Sequence, residues 1–108
     1  MTENFKISFD KVTWAKICPI ILPNKELKLK VTPKYIRFKI PNVCFVLEIK
    51  LLRTKFQYYD CNTNIKLKLN TNDLIKNINF ENHLVSMYLI NDELFISDTD
   101  TVAIPIIK

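Results

Sequence analysis

The chain has 108 residues, 48% of them apolar and 25% charged, with sixteen Lys and Arg against eleven Asp and Glu for a formal charge of +5. That size and mix specify one folded domain with a core of its own, not two domains and not a disordered chain. Glycine is absent, which excludes phosphate-cradling loops and dinucleotide fingerprints, both of which need glycine for close backbone approach.

Phe5, Ile7 and Phe9 alternate with Lys6 and Ser8, the pattern of a half-buried strand. Asp10 is placed to cap a helix over residues 11–22, where Trp14, Ile17, Cys18 and Ile21 recur at helical spacing. Pro19 either ends that helix near Cys18 or kinks it, because its ring meets the Ala15 carbonyl and removes a donor. Leu27, Leu29 and Val31 alternate with Lys28 and Lys30. After a turn at Thr32-Pro33-Lys34, Ile36, Phe38 and Ile40 alternate with Arg37 and Lys39, giving a hairpin with one basic face. Residues 43–49 form a more continuously apolar strand. The connector, 51–64, carries Phe56, Tyr58, Tyr59 and Cys61, the wrong composition for a flexible linker.

Ile65, Leu67 and Leu69 then alternate with Lys66 and Lys68, and Asn70 to Asp73 lead into a short helix reaching Phe80, with Leu74, Ile75 and Ile78 as its stripe. Strands are predicted at 84–90, 94–97 and 102–107. Asn91-Asp92 makes a tight hairpin turn without glycine, and Pro105 suits a sheet edge. Strand, helix and three strands thus occur twice, over residues 5–50 and 65–108. At an offset of sixty, Phe5 falls on Ile65, Trp14 on Leu74 and Lys16 on Lys76. The expected fold is α+β: a single domain with a duplicated β-α-β-β-β unit and two helices on one face of antiparallel sheet.

Phe56-x-x-Tyr59-x-Cys61-x-x-Asn64-Ile65-x-Leu67-x-Leu69-Asn70, followed by Leu74-x-Lys76, resembles the first domain of the sliding clamps of the proliferating cell nuclear antigen family. The topology extends the resemblance over the whole chain. It implies a DNA-clamp-like domain in a ring of six such domains, with helices around duplex DNA and sheets outside. Lys16 and Lys76, with Lys11 as a third candidate, would then touch phosphates without reading sequence. Ring closure in the family pairs the fourth strand of one domain with the last strand of another. Here that implies an oligomer interface at Val43, Phe45, Leu47 and Ile49 against Val102, Ile104 and Ile106, with Pro105 removing one donor from the ladder. Family subunits have two domains joined by a long loop that helps form a pocket for partner peptides. A single-domain subunit would need six copies, or a related clamp subunit, and a different partner pocket.

The resemblance therefore implies a processivity or scaffold factor serving replication or repair proteins, on duplex DNA, as a homo-oligomer. The alternative is a clamp-fold protein–protein interaction module that does not encircle DNA. The strand cations Lys28, Lys30, Arg37, Lys39, Lys66 and Lys68 read first as solvated outer-face residues, and otherwise as a sheet face that binds nucleic acid or an acidic partner.

No catalytic constellation is expected, and no cofactor or metal. His83 is the sole histidine, no Cys-x-x-Cys accompanies it, and Asp92, Glu93, Asp98 and Asp100 read as turn carboxylates. Cys18, Cys44 and Cys61 are odd in number and widely spaced, so no disulfide framework is expected. No leader or long apolar run is apparent, and the expectation is an intracellular, non-membrane protein at a nuclear or cytoplasmic replication site.

Overall fold

The computed structural model describes residues 3–21, 25–41, 46–76, 84–97 and 101–107. The chain runs β1 (Glu3–Asp10), α1 (Lys11–Ile21), β2 (Glu26–Val31), β3 (Tyr35–Pro41), β4 (Val46–Leu52), β5 (Tyr58–Cys61), β6 (Ile65–Asn70), α2 (Thr71–Ile75), β7 (Leu84–Ile90), β8 (Glu93–Ser97) and β9 (Thr101–Ile104). A single 3-10 turn, Arg53–Lys55, stands between β4 and β5.

The strands form two antiparallel sheets, ordered β5-β1-β7-β8-β9 and β4-β3-β2-β6. The antiparallel sheet expected from the sequence is thus divided into two. The first strand on each side of the connector leaves its sequence neighbours: β1 pairs β7, with Ile7 opposite Met87, while β6 pairs β2, with Leu69 opposite Leu27. Alternation explains why both sheets are one-sided. Phe5, Ile7, Phe9, Val85, Met87, Leu94 and Ile96 from one sheet join Leu27, Leu29, Val31, Ile36, Phe38, Ile40 and Leu69 from the other in a continuous buried core.

Both helices begin where a side chain takes up orphan donors. The Thr13 backbone N–H donates to Asp10 Oδ1 at 2.8 Å, and those of Asn72 and Asp73 donate to Asn70 Oδ1 at 2.9 and 3.4 Å. The helix after Asp10 runs through Pro19 to Ile21. Ala15 and Pro19 are both exposed, so the Ala15 carbonyl deprived of its helical donor lies on the side where water reaches. Trp14 and Leu74, sixty residues apart, are both buried. Trp14 lies between the sheets, 5.5 Å from the Phe9 ring of β1 and 6.4 Å from the Phe38 ring of β3.

The connector is ordered, as its aromatic composition suggested, and it contributes strand structure that the sequence did not predict. β4 extends to Leu52, beyond the expected end at Ile49, and Tyr58–Cys61 adds to the edge of β1. Tyr59 is the bolt between sheets: its hydroxyl donates to the Thr32 carbonyl at 2.6 Å, and its ring packs 5.2 Å from Phe56. At the far end β9 stops at Ile104, earlier than expected, because Pro105 has no N–H to continue the ladder. The chain then crosses to the other sheet, where Ile106 bridges Leu69 and the Ile107 N–H donates to the Lys68 carbonyl at 2.8 Å. The β7–β8 hairpin turns on Asn91 (φ 51°) and Asp92 (φ 64°), two left-handed residues as a primed turn requires.

Val43, Phe45, Ile78, Phe80, His83, Cys44, Asp98 and Asp100, singled out in the sequence, lie outside the described residues.

Candidate functional site

Two surfaces carry the charge expected to meet an anion, and they differ. Of the helix cations, Lys16 is exposed on α1 and Lys11 is half-buried in its first turn. Lys76 follows α2 with its side chain 66% exposed and its Nζ 3.3 Å from Asp73 Oδ1, so part of its charge is neutralised. The surroundings of Lys16 are apolar. Val12, 58% exposed, and Ile20, 44% exposed, share its helix face at spacings of four, with Ala15 and Pro19 beside them.

The outer face of the four-stranded sheet is the more basic of the two. Because Leu27, Leu29 and Val31 turn inward, Glu26, Lys28 and Lys30 turn outward. Cross-strand register sets Lys28 directly opposite Lys39 on one side and Lys68 on the other, and Lys30 opposite Arg37 and Lys66. Arg37 in turn faces Lys50. Six cations therefore occupy two rows of three, about 4.8 Å apart along a row and about 6.8 Å between rows. They line an open depression of about 410 Å³.

Two carboxylates stand at the margins of this grid. Glu26 Oε2 lies 3.2 Å from Lys68 Nζ, and Glu48 Oε2 lies 3.9 Å from Arg37. The K-L-K sequences at Lys28–Lys30 and Lys66–Lys68 were the available signal. What the sequence reading lacked was the pairing of β2 with β6 that puts them side by side.

The assembly residues are placed differently from one another. Ile104 is buried in the core, Leu47, Ile49 and Ile106 are half-buried against it, and Val102 is half-buried. What β4 and β9 leave open are backbone edges, since each is the terminal strand of its sheet.

Asp10 Oδ2 also accepts from Gln57 Nε2 at 3.2 Å, and donors at Asp10, chiefly the Thr13 backbone N–H, hold its carboxyl below the ordinary value of 3.8. Burial raises the thiols of Cys18 and Cys61, both unpaired, which makes them poor thiolates. Among the described residues no group of three or more His, Cys, Asp or Glu side chains is gathered as a metal site, and no helix is long and apolar enough to cross a membrane.

The arrangement of two sheets, two helices and exchanged first strands has a counterpart among solved structures. The whole chain superimposes on the structure of DNA polymerase III subunit beta from Borrelia burgdorferi, in complex with a natural product, with a TM-score of 0.82 and 12% identity. The fold is clamp-like. The clamp-like chain described here spans 31% of that subunit's length. Its sequence matches no family model and no curated protein, so the likeness rests on structure.

Proposed function

We propose that this clamp-like chain is a non-enzymatic processivity or scaffold subunit for DNA replication or repair, working inside the cell without a cofactor. The observation that carries the reading is the fold, matched over the full chain to a protein named DNA polymerase III subunit beta. In this reading Lys11, Lys16 and Lys76 rest on the phosphates of duplex DNA, giving salt-dependent, sequence-independent hold that permits sliding. Copies of the chain, or a related clamp subunit, join β4 to β9 edge by edge, and replication or repair proteins are recruited outside the ring. The resemblance to the proliferating cell nuclear antigen family supports the same reading. So do the recurrences sixty residues apart, caps at Asp10 and Asn70 and core residues at Trp14 and Leu74, which suit a duplicated unit whose two helices would face the DNA.

A second reading, an interaction module that does not encircle DNA, is favoured by one observation. The α1 face around Lys16 is apolar rather than basic, with Val12 and Ile20 exposed, and apolar exposed faces suit protein contacts.

Light scattering over a concentration series separates the two. The expected outcome is a discrete hexamer whose duplex affinity falls when Lys16→Glu and Lys76→Glu are combined. A monomer at every concentration would remove the self-assembled ring and leave the interaction module.

A further inference from the structure

The outer face of the four-stranded sheet collects Lys28, Lys30, Arg37, Lys39, Lys50, Lys66 and Lys68, opposed among the described residues only by Glu26 and Glu48. Seven cations less two carboxylates leave five positive charges, equal to the formal charge of the entire chain. Everything else in the molecule, including the helix side, therefore sums to zero. Lysines that merely keep a protein soluble are interspersed with acids. Here five pairs of like charge stand directly opposite one another across the strands, Lys28–Lys39, Lys28–Lys68, Lys30–Arg37, Lys30–Lys66 and Arg37–Lys50. Such pairing works against folding, and a polyanion laid across the face would relieve it.

The composition of the face selects among polyanions. An acidic protein would be held by buried aromatic or apolar anchors, and lysine is depleted in such interfaces. A phosphate backbone needs no anchor, only cations within reach. A single strand would be expected to stack its bases on aromatic rings. The one aromatic among the outward positions of these strands is Tyr35, at the margin, with Lys50 Nζ lying 4.3 Å over its ring. We infer that this outer sheet face is a second nucleic-acid surface, one that holds the backbone of duplex DNA without reading its sequence, separate from the helix side.

The test is fluorescence anisotropy of the full chain with a labelled duplex of mixed sequence across a salt series. With about five phosphates engaged, the log–log salt slope is expected near about −4 to −5. Lys28→Gln combined with Lys66→Gln should weaken binding about tenfold or more at low salt and make the slope shallower by about 2. Both residues are exposed and face other cations, so the variant should melt no lower than the parent. Lys30→Gln with Lys39→Gln is the second pair should the first fail to fold, and the same loss is expected. Lys16→Gln with Lys76→Gln, on the helix side, should leave that part of the slope in place. Unchanged affinity and slope in both sheet variants would overturn the inference. So would polyglutamate competing as well as duplex of equal charge, which would assign the face to an acidic protein. Tighter binding of a single strand than of the duplex would overturn it as well.

Discussion

At the residue scale, Asp10 joins the strand to the helix in a form that pH can read. Its carboxylate accepts from the Thr13 backbone at 2.8 Å and from Gln57 at 3.2 Å. These donors lower its pKa below 3.8, with the Thr13 backbone N–H the largest cause. A depressed carboxyl pKa stabilises the fold above the unfolded-state value, and that contribution disappears as pH falls through the folded-state value. Asn at this position would cap the helix equally at every pH. Urea unfolding of the parent should therefore lose more stability between pH 6 and pH 3 than that of Asp10→Asn. Equal losses would mean that the cap bond does not form in solution.

At the scale of elements, the strap from Arg53 to Cys61 decides how the two sheets are held together. The Phe56 ring meets Phe9 edge-on at 6.3 Å, and the Gln57 N–H donates to the Ser8 carbonyl at 2.9 Å, fastening the strap to β1. The Tyr59 hydroxyl reaches the other sheet at Thr32. Burial, first among the causes, pushes the Tyr59 phenol up to about 12, so it stays a donor throughout the neutral range. Tyr59→Phe keeps the ring and removes the donor, leaving the Thr32 carbonyl unmatched. Urea titration should show a loss of about 1 kcal/mol, and a variant as stable as the parent would show that the hydroxyl bond contributes nothing.

The strap also marks the limit of what was legible in the chain. β1, β2, β3, β6 and β7 could be read because Phe5-Ile7-Phe9, Leu27-Leu29-Val31 and their counterparts alternate cleanly. β5 could not, because Tyr58-Tyr59-Asp60-Cys61 has no period and its strand exists only through β1. The basic residues of the sheet face were legible one strand at a time. Their gathering into a grid was not, since Lys66 and Lys68 reach Lys30 and Lys28 through a pairing between strands some forty residues apart. Leu47, Ile49 and Ile104, which the family resemblance places at an oligomer interface, pack in or against the core of the domain, while the strands that carry them stand at sheet edges.

At the scale of the whole molecule, the exchange of first strands makes the two halves interdependent. A fragment limited to residues 5–50 would hold β1 without β7 and β2 without β6, leaving edges and an uncovered apolar face. Neither half can complete a sheet alone, so the domain should unfold as one cooperative unit. Trp14 is the sole tryptophan, and its ring touches β1 of one sheet and β3 of the other. Its fluorescence therefore reports the docking of the two sheets, while far-ultraviolet circular dichroism reports the strands themselves. Urea transitions followed by the two probes should superimpose at one midpoint. If the tryptophan transition came first, with strand signal persisting at higher urea, the sheets would be separable units and the exchanged strands would not couple them.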